Sequence, residues 1–174
     1  LNCVTNSRMN LRDDEVVERL EVLIKNSISR QMLADVPVGA FLSGGIDSSA
    51  IVSLMQQQSS NAIKTFSVGF SEQEFDEAKY AKKIANFLRT EHTEIFVTAK
   101  DAQSVIPDLP NIFDEPFGDA SGIPTYLVSK LAREKVTVAL SGDGGDELFS
   151  GYNRYIWGEK IWNKIQRFPP TFRK

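Results

Sequence analysis

Leu42-Ser43-Gly44-Gly45-Ile46-Asp47-Ser48-Ser49 is the stretch whose reading decides the fold. Upstream of it the apolar run Val36 to Leu42 predicts a buried strand, and downstream Ala50-Ile51-Val52-Ser53-Leu54-Met55 predicts a helix. Gly44 and Gly45 turn the backbone between them. A glycine loop at a helix N-terminus aims unpaired backbone N–H groups and the positive end of the helix dipole at one point. The missing Cβ atoms let phosphate oxygens come close. Ser43, Ser48 and Ser49 add hydroxyl donors. Asp47 is the odd member, because a carboxylate beside phosphate repels it unless a cation lies between, so Asp47 is read as a Mg²⁺ ligand.

The loop also excludes two alternatives. A Walker A loop needs a lysine to reach the outer phosphates, and no lysine occurs between Val36 and Ile63. The dinucleotide-binding glycine pattern of Rossmann folds is absent as well. Length and charge narrow the class further: 174 residues, 41% of them hydrophobic, with a net charge of −3, suit one globular domain with a sizeable core. A slightly acidic balance argues against a general nucleic-acid surface. Cys3 is the single cysteine, which rules out an intrachain disulfide and fits a reducing compartment. Apolar runs are of strand length, so neither a signal peptide nor a spanning segment is read, no membrane partner is expected, and the cytoplasm is the expected location.

Around the loop the chain alternates. Residues 1 to 12 are polar and without period. Asp13 and Asp14 open an amphipathic helix carrying Val16, Val17, Leu20, Leu23, Ile24, Ile28 and Leu33, read as a packing helix that ends before Pro37. Lys64 to Phe70 predicts a second strand, Phe75 to Leu88 a helix, and Glu91 to Val97 a third strand. Strand, helix, strand, helix, strand at these lengths predicts right-handed βαβ units in a parallel sheet covered on both faces. Ligands of such sheets bind at the carboxyl ends of strands, near a switch in strand order. Val68-Gly69 is placed at such an end, where a glycine would let adenine approach the backbone. His92, the only histidine, is read as structural because no catalytic partner can be named for it.

Helix is expected from Thr98 into a region broken by Pro107 and Pro110, and again from Thr125 to Lys135. Between them Asp114, Glu115, Asp119 and Ser121 lie in a Gly- and Pro-rich connection, a candidate for substrate or nucleotide contact as well as a plain surface loop. Val136 to Leu140 predicts a fourth buried strand, which runs into Ser141-Gly142-Asp143-Gly144-Gly145-Asp146-Glu147-Leu148-Phe149-Ser150-Gly151-Tyr152. This second glycine loop is loaded with acids that would reject phosphate, so a Mg²⁺ shared between Asp47 and one of them is the simplest reconciliation. Beyond it Trp157, Ile161, Trp162, Ile165 and Phe168 carry more apolar surface than a free helix exposes.

The first loop resembles the pyrophosphate-binding loop of the ATP pyrophosphatase superfamily, whose members cleave ATP between the α and β phosphates to adenylate a substrate. Together with Phe66 to Phe70, Asp114-Glu115-Pro116 and Ser141 to Tyr152, in this order, it resembles the synthetase domain of glutamine-hydrolysing asparagine synthetases over almost the whole chain. That resemblance implies an α/β, adenine nucleotide alpha hydrolase-like (PP-loop) fold with a parallel sheet in three layers. It implies Leu42, Val68, Ser141 and Gly142 around ATP, and Ser43, Gly44, Gly45, Asp47 and Ser48 around pyrophosphate and Mg²⁺. Asp146 is the second metal ligand it implies, and Asp143 stands where some asparagine synthetases have a catalytic glutamate, so Asp47 and Asp143 form the expected catalytic set. The reaction implied is ATP-dependent adenylation of the aspartate side-chain carboxylate, then attack by ammonia that a glutaminase domain releases from glutamine. On this reading residues 1–174 are a single synthetase domain and a fragment of a longer protein, without the N-terminal glutaminase domain and the end of the synthetase domain, and compatible with a homodimer. Related amidotransferases, β-lactam-synthetase-like enzymes acting on another carboxylate, and a non-catalytic nucleotide-binding module are the alternatives.

Overall fold

The computed structural model describes residues 11–70, 77–115, 118–119, 121–149 and 151–166. Its frame is a four-stranded sheet of β1 (Val38–Phe41), β2 (Lys64–Phe70), β3 (Glu91–Val97) and β4 (Val138–Leu140), in spatial order β3-β2-β1-β4. All three pairings are parallel, with Gly39 opposite Lys64, Thr65 opposite His92, and Gly39 opposite Ala139. The chain thus builds β1, β2 and β3 outward in one direction and then returns to place β4 on the other side of β1. The crossover reverses between β1 and β4, and a right-handed connection must change faces when it changes direction.

The helices obey that rule. α1 (Asp13–Met32), α2 (Ile46–Gln57) and α3 (Ala78–Leu88) share one face of the sheet, where Ile28, Val52, Leu54, Met55, Ala81 and Ala85 pack on Ala40, Leu42, Ile63 and Leu140. After β3 come α4 (Ala99–Val105), a 3₁₀ turn (Ile106–Asp108), α5 (Leu109–Ile112) and α6 (Gly122–Arg133). On the opposite face Ala132, Leu131 and Val128 of α6, with Val136, close over Phe41 and Phe66. Phe66 is fully buried and is the largest side chain so enclosed among the described residues. Two compact units result, Leu1–Ser141 and Gly142–Lys174, the second containing α7 (Gly145–Phe149) and α8 (Asn153–Ile165). No helix among the described residues is long and apolar enough to cross a membrane.

Several expectations shift. Strand β1 is shorter than the predicted run, because Val36 precedes it, although Leu42 just beyond stays buried and its N–H donates to the Phe66 carbonyl at 2.9 Å. Helix α3 begins at Ala78 rather than Phe75, which lies outside the described residues. Pro107 and Pro110 break the helix after Thr98 as read, each opening a new short turn from its first residues. The fourth strand is not buried throughout: it forms the edge of the sheet, so Val138 is 40% exposed while Leu140 is covered. Helix α1 packs only through its second half, around Ile24, Ile28 and Met32. Val17, Leu23 and Leu33, expected to pack, are 62%, 67% and 88% exposed.

His92 has the structural role expected of it. Its Nδ1 lies 2.9 Å from Thr65 Oγ1 and its Nε2 3.2 Å from Ser67 Oγ, and Thr65 Oγ1 is in turn 2.9 Å from Thr90 Oγ1. These bonds satisfy two buried hydroxyls of β2 beneath α3. Burial holds the His92 pKa below its ordinary value of 6.5, opposed by nearby Glu94 and assisted by Lys82. The unfolded chain therefore binds a proton that the folded chain refuses. Stability is expected to be fully present above pH 6.5 and to fall as the pH drops from 6.5 toward the lower folded value. Urea titrations across this range check it: His92→Gln should flatten the profile, and an unchanged slope in that variant overturns the assignment.

Candidate functional site at the carboxyl edge of the sheet

The switch in strand order puts the carboxyl ends of β1 and β4 side by side, and the glycine loop leaves β1 there. Helix α2 starts four residues earlier than the Ala50 run suggested, at Ile46, with Gly45 as its extended N-cap. Asp47, Ser48 and Ser49 are thus first-turn residues rather than loop. The cap carries no side-chain hydrogen bond, so the first-turn N–H groups, which a helix leaves without internal partners, keep their donor capacity for an anion.

Gly44 fixes how the loop reaches this position. Its φ is +86°, a left-handed conformation that side chains resist. A Cβ added there would also lie 2.7 Å from the Ala81 nitrogen and from Tyr80 Cβ, so the loop lies directly on the first turns of α3. The serines serve the loop itself. Ser43 Oγ and Ser48 Oγ are 2.9 Å apart, Gly45 N–H donates to Ser43 Oγ at 3.2 Å, and the Ser49 hydroxyl donates to the Gly45 carbonyl at 2.5 Å. The hydroxyls expected to face phosphate are therefore engaged in shaping the turn. Asp47, half-exposed, sits one residue into the helix.

Elsewhere the placement of the expected residues differs in kind. Leu42 is buried beneath the loop and Val68 is half-buried on β2. Val68-Gly69 does lie at the carboxyl end of β2, one residue before its last, but the space of the missing Gly69 Cβ is taken by the Phe96 ring at 2.8 Å and Ala78 Cβ at 2.9 Å, so it is not open to adenine. That glycine makes room for the protein's own aromatic. Asp119 is exposed and bonded within its own connection, its Oδ1 accepting from Ser121 N–H at 2.9 Å, which holds its carboxyl below the usual range. Asp114 and Glu115 lie in irregular chain before α6, and Pro116 is outside the described residues. Ser141 closes the first unit, while Gly142, Asp143 and Asp146 belong to the second. A groove of about 590 Å³ beside α6 and β4, with Tyr126, Lys130 and Arg133 on its wall, is lined by none of the expected binding, metal or catalytic residues.

A parallel sheet in three layers with a glycine loop and helix N-terminus at its switch point defines the PP-loop, adenine nucleotide alpha hydrolase-like class. Two solved structures share this fold: the NH3-dependent NAD synthetase from Campylobacter jejuni and the NMN synthetase from Francisella tularensis. The first has a TM-score of 0.50 at 17% identity over 82% of this chain and 62% of that one; the second 0.52 at 15% over 82% and 59%. The asparagine synthase family model matches residues 19–174, and the chain belongs to that family. It is 42% identical over 91% of its length to a putative glutamine-hydrolysing asparagine synthetase of Methanocaldococcus jannaschii, and 45% identical over 93% to asparagine synthetase 1 of Bacillus subtilis. It spans 31% and 25% of the lengths of those relatives.

Because Gly44 is required both by its backbone angle and by its packing, Gly44→Ala is expected to destabilise the first unit by at least the ~1–2 kcal/mol that a left-handed L-residue costs. Chemical denaturation measures it, and a variant as stable as the parent would show that the loop is not clamped on α3.

Proposed function

We propose that this chain is the nucleotide-handling part of an ATP-dependent amide ligase of the asparagine synthase type. In this reading the aspartate side-chain carboxylate attacks the α-phosphate of ATP, the bond to the β-phosphate breaks, and pyrophosphate leaves. Ammonia, released from glutamine by a glutaminase domain of the complete protein, then attacks the acyl carbon. AMP departs and asparagine forms. The observation that carries this proposal is the Gly44-Gly45 turn opening directly into α2, with its first-turn N–H groups uncapped by any side chain. Membership of the asparagine synthase family supports the choice of substrate.

Ile46, Asp47 and Ser48 N–H groups are the donors assigned to the pyrophosphate, and Ser43, Gly44 and Gly45 shape its seat. Leu42, Val68, Ser141 and Gly142 are assigned to ATP. The donor set suits Mg²⁺, because Asp47 and Asp146 offer hard carboxylate oxygens. Mg²⁺ uses one or two carboxylates and completes its shell with water and phosphate oxygens. Asp47 and Asp146 are the carboxylates we assign to it, each on the chemistry of its own loop, and bound there it would supply charge neutralisation for the leaving group. Asp143 is assigned to the reacting carboxylate's side of the chemistry. No covalent protein nucleophile is required, since positioning and electrostatic stabilisation carry the step.

Calorimetric titration of the chain with ATP, with and without Mg²⁺, is the direct test. Saturable binding that needs Mg²⁺ is expected, and its loss in Asp47→Ala with an unchanged circular dichroism spectrum. Wild-type affinity in that variant removes Asp47 from the metal site. In the complete protein Asp143→Ala should leave ATP binding within about twofold while reducing aspartate-dependent exchange of pyrophosphate into ATP by the 10²-fold or more typical of a lost catalytic group. Unaltered exchange strikes Asp143 from the catalytic set.

A further inference from the structure

The acidic loop offers Asp143, Asp146 and Glu147 within five residues, and side-chain geometry inside the second unit separates the last two. α7 is a single short turn, started by Gly145 N–H donating to the Gly142 carbonyl at 3.2 Å and continued by Leu148 N–H to the Gly144 carbonyl at 3.1 Å. The chain then doubles back, and Gly151 N–H donates to the Asp146 carbonyl at 3.1 Å. Residue 151 is thereby brought against the Asp146 side chain itself: a Cβ on Gly151 would fall on Asp146 Oδ1. One residue on, the Tyr152 hydroxyl donates to Glu147 Oε1 at 2.6 Å. The Arg154 guanidinium lies 3.9 Å from the centre of the Tyr152 ring and 5.6 Å from that of Tyr155, holding the phenol from its other side.

We propose that Gly151 and Tyr152 are positioning residues for the Asp146 carboxylate, and that Glu147 is committed to the Tyr152 hydroxyl rather than to the cation. Tyr152 and Glu147 close the turn like a latch, and the bare Cα of Gly151 lets the latched chain pass where it sets the direction of the Asp146 carboxylate. Neither residue touches the reacting atoms. The inference rests on the reading of Asp146 as a Mg²⁺ ligand.

The test is ATP binding at graded Mg²⁺ concentrations, for the parent chain and for Gly151→Ala, Tyr152→Phe and Glu147→Gln. Loss of a partner that orients a metal ligand weakens metal affinity by about 10–100-fold. Gly151→Ala and Tyr152→Phe are therefore expected to raise the Mg²⁺ concentration at half-maximal nucleotide binding about tenfold, with nucleotide affinity at saturating Mg²⁺ and the thermal midpoint nearly unchanged. Glu147→Gln keeps an acceptor for the tyrosine hydroxyl and is expected to stay within about twofold of the parent, since only a charge and not the latch is lost. An unshifted Mg²⁺ midpoint in both Gly151→Ala and Tyr152→Phe overturns the inference alone. A Glu147→Gln chain as impaired as Tyr152→Phe overturns it too, by making Glu147 a ligand. Binding by the parent chain that ignores Mg²⁺ takes down the metal reading of the loop, and the inference with it.

Discussion

The glycine loop is seated on α3 by one contact, the bare Cα of Gly44 against the backbone of Tyr80 and Ala81. No side chain fits there, and the φ of +86° suits none. Because α3 bears on the loop, the turn out of β1 is sharp and α2 starts without delay at Ile46. Amide direction at a helix N-terminus depends on the entry angle of the chain, so α3, which carries none of the proposed binding groups, decides where the donors of α2 point. Ala81 and Ala85 allow this, since small residues let α3 settle deep enough to be fully buried at those positions.

Strand order then decides what the loop can serve. With β1 between β2 and β4, the first crossovers fill one face and the return through α4, α5 and α6 fills the other. The reversal falls between β1 and β4, and the carboxyl ends of strands at such a switch are the usual ligand position in open α/β sheets. Parallel strands need long crossovers, and the layers those crossovers build bury Phe66 on one side and Leu42 with Met55 on the other. The two-sided core and the switch point thus come from the same topological choice.

This much was legible in the residues. The second and third strands match their predicted bounds, because runs such as Lys64 to Phe70 and Glu91 to Val97 are rich in β-branched and aromatic side chains and are limited by clear turns. Misreadings arose where tertiary context overrides local pattern. Val138 reads as core until the edge position of its strand is known, and Val17 and Leu23 read as a packing face until α1 is seen to meet the sheet only near Ile28. Gly69 misleads for a related reason: a glycine at a strand end can serve a ligand or a neighbouring ring, and only three dimensions reveal Phe96 above it. The Tyr152 to Glu147 bond left no signal, since a spacing of five residues across a turn matches neither a helical nor a strand period.

The serine network of the first loop adds a constraint on binding. Ser43, Ser48 and Ser49 hydroxyls bond to each other and to the Gly45 carbonyl, so the loop holds its shape from within. A phosphate drawing on those hydroxyls must replace bonds already made, and the exchange contributes little net energy. The N–H groups of the first turn have no such competitor, and their donation to a charged oxygen is of the stronger, charge-assisted kind. Affinity for an anion at this site should therefore come from the helix start, with the hydroxyls acting on shape. That division also explains why Asp47 can stand in the first turn of α2: a carboxylate there is favoured by the helix dipole before any ligand arrives. Once phosphate occupies the same field, the two anions are compatible only with a cation between them.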